Sequence, residues 1–238
     1  MSVNYYLYTS LITVSTIARG YPKALTLLSY HLDEPKLQEF IQRFLYDQLY
    51  PDAEVCGMDA LIDTCPALPP DLRINIYHSA SATYYAPSDL SGIGGMHREY
   101  IKATPSWKGK PRYDCIFIDK EPELDGFAGL HVARAKTFLS FSIDETFYPC
   151  ALVEWFSTYG PEPCNDTGLW RVIPDYDRQG ERSRSLVHLD TVLRGAHLIG
   201  ISGPHFLPRT FIYSDSLDAF HLYYVNKYID HHAHQIAF

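Results

Sequence analysis

The chain has 238 residues, 46% of them hydrophobic, and its 20 Lys and Arg against 28 Asp and Glu give a formal net charge of −8. That length fits one large domain or two small ones and supplies ample apolar material for a buried core. The acidic balance repels a phosphate backbone over the molecule as a whole, which excludes a chain-wide basic nucleic-acid binder and confines any such contact to a local patch.

Nineteen Tyr, 12 Phe and 3 Trp predict strand-rich structure, because aromatic side chains pack well on pleated surfaces. The first twenty-one residues lack a basic n-region, and Ser and Thr interrupt their apolar residues, so neither a signal peptide nor a membrane span is expected. The five cysteines (Cys56, Cys65, Cys115, Cys150, Cys164) form no C-x-x-C pair, which predicts reduced thiols and an intracellular protein.

In chain order, residues 1–70 are predicted to be a helical segment and its connection. "TLLSYHL" is a short helix turning into a longer one, capped by Asp33, with Pro35 in the first turn and Leu37, Phe40, Ile41, Phe44, Leu45 and Leu49 at helical spacing. Residues 71–111 are expected to connect, with "INIYHSA" as a first strand-like run and a turn at Gly92, Gly94 and Gly95 leading into a basic stretch. Residues 112–213 carry the strand-like runs "YDCIFID", "LHVARAKTFLSFSI", "TFYPCALVEWF", "GLWRVIP" and "VHLDTVLRGAHLIGI", with "SIDET" as a hairpin tip. Residues 214–238 are expected to form a last helix, capped by Ser214 or Asp215, with Leu217, Phe220, Tyr224, Tyr228 and Ile229 on one side.

Four groups of residues are candidates for function. Arg98, Lys102, Lys108, Lys110 and Arg112 against Glu99 give a local +4, and Tyr100 and Trp107 lie among them, a composition that suits nucleic acid. Trp155, Tyr159 and Trp170 fall near strand ends and could form an aromatic ligand cage. Asp119, Glu154 and Asp190 could assemble a two-metal phosphodiesterase site, although any strand-rich protein supplies such a trio by chance. In the terminal "DHHAH", Asp230 and His234 are four apart and His231 and His234 three apart, with His232 between; the spacing lacks the H-E-x-x-H pattern, and a packed or solvated helix end is the competing explanation. No G-x-S-x-G elbow and no phosphate-cradling glycine loop is present, so no catalytic residue, cofactor or metal ligand is assigned.

The segments "YYAPSDLSGIGGMHREYIKATPSWKGKPRYDCIFID", "LHVARAKTFLSFSI", "YPCALVEWF", "DTGLWRV", "VHLDTVLRGAHLIG" and "DSLDAFHLYYVNKYIDHHAHQIAF" resemble the C-terminal region of proteins encoded by fungal (basidiomycete) Plavaka- and KDZ-type DNA transposons and their stand-alone derivatives, over roughly residues 25 to 238. The resemblance implies descent from a mobile element and a nuclear address. It imports no catalysis, since the transposase core of such proteins lies upstream. More loosely, "LHVARAKTF" through "AHLIGI" resembles the strand order of SH3-like barrels such as bromo-adjacent homology (BAH) domains, which bind histone tails or partner proteins. The expectation is therefore an α+β protein: an N-terminal helical segment, a central antiparallel, partly closed SH3-like or BAH-like β-barrel, and a C-terminal helix packed on it. Its expected function is that of a non-catalytic binding or assembly module with nucleic acid or chromatin proteins as partners and no membrane. The alternative is a metal-dependent phosphodiesterase or nuclease-like enzyme using the carboxylates or the terminal histidines.

Overall fold

The computed structural model describes residues 11–14, 16–86, 94–121, 123–124, 126–203 and 206–237. Gly92 of the glycine turn lies outside the described residues. The protein is α+β, with two helices near the start, two antiparallel sheets and a short helix at the end. No helix among the described residues is long and apolar enough to cross a membrane.

Helices α1 (Leu25–His31) and α2 (Leu37–Leu49) follow from the apolar spacing, and α2 buries Leu37, Phe40, Ile41, Phe44 and Leu45. Three details differ from the expectation, one being that Pro35 precedes the N-cap instead of lying in the first turn. Asp33 is not the cap; with φ at 53° it makes the left-handed turn between the helices, and Lys36 holds the N-cap position without a side-chain bond. Leu49 is exposed, as are Asp47 and Gln48 beside it in the last turn.

The larger sheet is built on β7 (Leu130–Ile143) and β8 (Thr146–Thr158), joined at the expected hairpin tip by Asp144 and Glu145, both at positive φ. β6 (Cys115–Asp119) lies on the far side of β7, and β2 (Asn75–Tyr77) pairs with its lower half. The outer edge of β8 is shared by β9 (Arg171–Pro174) and β10 (Arg184–His188). β11 (Val192–Ala196) pairs with β6, while β12 (Leu198–Gly200) pairs with β13 (Tyr223–Val225), which in turn pairs with β9. Only His197 separates β11 from β12. The segment from β11 to β12 thus contacts both ends of the strand order and nearly closes a barrel, which leaves little open edge. Inside it lie Cys115, Phe117, Leu130, Val132, Phe156, Val172, Leu193, Tyr223 and Val225.

A bulge at Lys136 shifts the β7–β8 register between Ala135 and Thr137 and divides the work of this long hairpin. One end of its inner face, with Phe156 and Val132, fills the barrel; the other, with Leu139, Phe141, Cys150 and Leu152, receives α1 and α2. The outer face meets a second sheet of order β1 (Leu11–Val14), β3 (Ser79–Tyr85), β4 (Met96–Trp107) and β5 (Lys110–Tyr113). Ala80, Ala82 and Ala103 from that sheet face Ala133, Ala135 and Ala151, so small side chains on both sides bring the backbones close. Residues 71–111, expected as a connection apart from the strand-like "INIYHSA", therefore hold β2 and most of a second sheet.

The end of the chain also departs from the expectation. Tyr223–Val225 is a barrel strand, and α3 is confined to His231–Ile236. Leu217 and Phe220 pack on the barrel core as expected, but Tyr228 and Ile229 are exposed. Barrel pairing claims the backbone of 223–225, and a strand with aromatic side chains on alternate faces satisfies it better than a helix would.

Candidate nucleic-acid interface

On β4, residues alternate between the two faces of the smaller sheet. Ile101 and Ala103 point into the core, whereas Arg98, Tyr100 and Lys102 point outward, opposite Thr83, Ser81 and Ser79 of β3. Trp107 is five residues beyond Lys102 and would face inward on a regular strand. A bulge between Thr104 and Trp107 reverses its direction, and the ring returns to the outer face. There the Lys102 ammonium lies 5.3 Å from the Tyr100 ring centroid and 4.9 Å from that of Trp107. Both rings are open to solvent, Tyr100 at 57% and Trp107 at 37% exposure. Arg112 comes from β5 to the same indole at 5.7 Å and is oriented by two hydrogen bonds to Asp114 at 2.8 and 3.1 Å. Lys108 and Gly109, both at positive φ, make the β4–β5 turn, and Lys110 follows it, so two further cations project at the hairpin tip.

Charge separates the two faces of this sheet. Glu99, the acid within β4, points to the other face, where it accepts hydrogen bonds from Gly195 N and Arg194. Burial raises its pKa above the ordinary carboxylate range against the opposing pull of Arg194. Among the described residues Arg98, Lys102, Lys108 and Lys110 enter no ion pair, while Arg112 is paired with Asp114. The structure thus brings all six predicted residues onto one sheet face and its hairpin.

The other candidates are dispersed. Trp155 donates through Nε1 to Ser185 Oγ at 2.7 Å and has Lys120 over its ring, Trp170 stacks on Phe127 at 5.1 Å, and Tyr159 is covered by Arg171 at 5.2 Å. Each ring has a different neighbour. Asp119 and Trp155 line a cleft of about 350 Å³ between α2 and β10. Glu154 follows the opposite face of β8 from Trp155, and Asp190 is solvated beside His188 at 3.2 Å, so the three carboxylates occupy separate surroundings. Among the described residues no group of three or more His, Cys, Asp and Glu side chains is placed to hold a metal ion.

Two ion clusters that sequence spacing did not reveal hold the molecule together. Glu154, only 2% exposed, has Arg184 at 2.8 Å, Lys136 at 3.5 Å, and Arg134 and Arg182 each at 3.9 Å. Burial alone would raise its pKa, but Lys136, Arg184 and Arg182 overcome that and hold it below the usual carboxylate value. Arg184 extends to Glu34 in the turn before α2 at 2.7 Å, tying helix to barrel. The second cluster explains "DHHAH". Asp230 caps α3 through Ala233 N and grips the buried Arg194 with both carboxylate oxygens, at 2.7 and 2.6 Å. His232 is buried and stacked on Tyr84 at 4.3 Å, while His231 and His234 face solvent. The terminal motif fastens the chain end to β11. No protein-family model, no curated protein and no solved structure matches this chain.

Proposed function

We propose that this protein is a non-catalytic binding module that contacts nucleic acid through the outer face of the β1-β3-β4-β5 sheet. The observation that carries the reading is Lys102 lying against two exposed rings, among cations of which only Arg112 is paired with a described acid, on an otherwise acidic chain. Isolated surface lysines are ordinarily solvated and uninformative. Here a bulge and a tight turn, both with a conformational cost, gather them beside stacking surfaces. Descent from a mobile element and a nuclear setting, as the transposon resemblance implies, belong to the same proposal. An SH3-like or BAH-like character, with chromatin proteins as partners, has weaker support, because Trp155, Tyr159 and Trp170 share no common cage.

Binding of a fluorescently labelled oligonucleotide as a function of salt tests the reading. Four or five phosphate contacts predict affinity that is weak and indifferent to sequence, with log K falling against log salt at a slope of roughly −3 to −4. Replacing Lys102, Lys108 and Lys110 together by Ala should flatten that slope by about 2 to 3. Absence of binding at low salt refutes the proposal.

A further inference from the structure

We infer, resting on the nucleic-acid reading of the same face, that the ligand is single-stranded and that Tyr100 and Trp107 each take one base, with Lys102 holding a phosphate between them. Lys102 Nζ is 5.3 Å from one ring centroid and 4.9 Å from the other, so the two platforms are no more than about 10 Å apart and share one cation. That spacing suits neighbouring or near-neighbouring nucleotides of one strand. A duplex keeps its base faces stacked inside and presents phosphates and groove edges, so neither ring would have a partner. The surrounding side chains point the same way. Beside the Arg98–Tyr100–Lys102 row, β3 carries Thr83, Ser81 and Ser79, and β1 adds Thr13 opposite Ser81 and the exposed Leu11 opposite Thr83. These short hydroxyl side chains leave the rings standing above a shallow floor that can also hydrogen-bond to phosphate or sugar oxygens.

In the free protein Lys102 lies against both rings, and Arg112 lies against the indole while anchored to Asp114. Lys102 has no such anchor among the described residues. Its flexible stem lets the ammonium move from ring to phosphate and uncover aromatic surface, and a stacked base is worth more than the exposed cation–π contact it replaces.

The test compares a labelled single-stranded oligonucleotide with a blunt duplex of the same length by fluorescence anisotropy at one salt concentration. The full chain is used in unmodified form and as Tyr100→Ala, Trp107→Ala and Trp107→Phe. Melting temperature and circular dichroism establish that each variant is folded, and Trp107→Phe retains a ring should Trp107→Ala misfold. The expected result is tighter binding of the single strand, weakened roughly 5- to 150-fold by loss of either ring, with most affinity retained in Trp107→Phe and duplex binding changed by less than about two-fold. Equal affinity for the two forms, unaffected by loss of the rings, would overturn the inference while leaving a phosphate-binding face. Failure to bind either form would overturn both readings.

Discussion

Glu154 should be the side chain whose neutralisation unfolds this protein most readily. It is 2% exposed, and four cationic groups lie within 4 Å of its oxygens. Glu154→Gln keeps the shape and removes the charge, leaving buried Arg134 and the mostly buried Arg182 without their common counter-ion. Breaking a buried pair in this way costs about 3–5 kcal/mol. Asp218 still serves Arg134 at 2.6 Å and Glu34 still serves Arg184, so the lower end, about 3 kcal/mol, is expected. Against a total stability of about 5–15 kcal/mol that is a large share. Urea denaturation followed by tryptophan fluorescence and circular dichroism should show the midpoint falling by roughly 1 M for a slope near 3 kcal/mol/M. Removing a cation as well, in Glu154→Gln with Lys136→Met, should restore about 1 kcal/mol or more, since the two groups interact directly. The pH dependence has a definite sign. The folded-state pKa of Glu154 is depressed, so its contribution is present above the ordinary carboxylate pKa and is lost as pH falls through the folded value; Glu154→Gln should lose less stability on acidification. A loss below about 1 kcal/mol, or a double variant no more stable than the single, would refute the account of a carboxylate holding four cations together.

Asp230→Ala removes both the cap of α3 and the two hydrogen bonds to Arg194, and about 2 kcal/mol should be lost even though solvent screens this half-exposed carboxylate; His231→Ala should stay within about 0.5 kcal/mol in the same urea titrations. Glu145 at φ 66° pays for a conformation that glycine adopts freely, so Glu145→Gly should raise the melting temperature, with a gain of about 1 kcal/mol. Hydrogen bonds from Thr167, Tyr224 and the backbone lower the partly exposed thiol of Cys164 to about 7, whereas burial pushes Cys115 up to about 12 and Cys150 well above the usual thiol value. Iodoacetamide near neutral pH should therefore label Cys164 in the folded protein and reach Cys115 and Cys150 only on unfolding, as peptide mass spectrometry would show.

Local patterns were legible wherever one element carried the whole signal. The spacing of Leu37, Phe40, Ile41 and Phe44 specifies α2, and "SIDET" between two aromatic runs specifies the hairpin turn. The chemical character of residues 98–112, basic with interleaved rings, was also plain in the sequence. The second sheet was harder to read. β3 alternates Ser79, Ser81 and Thr83 outward with Ala80, Ala82 and Tyr84 inward, but alanine has low strand propensity, and its value here comes from the alanines of β7 and β8 packed against it. "YYV" at 223–225 fell within a helical spacing, and only the partners β9 and β12 make it a strand. The sequence by itself thus determined the helix, the hairpin, the acidic balance and the existence of a basic aromatic segment, since each depends on residues a few positions apart. Tertiary structure alone decided that Glu154 gathers cations from β7, β10 and the chain just before it, that Asp230 meets Arg194, and that Lys102 lies against Tyr100 and Trp107. Those contacts depend on bulges, barrel closure and sheet packing, in which the free energy of pairing distant backbone and burying their side chains outweighs the local preference of any one residue.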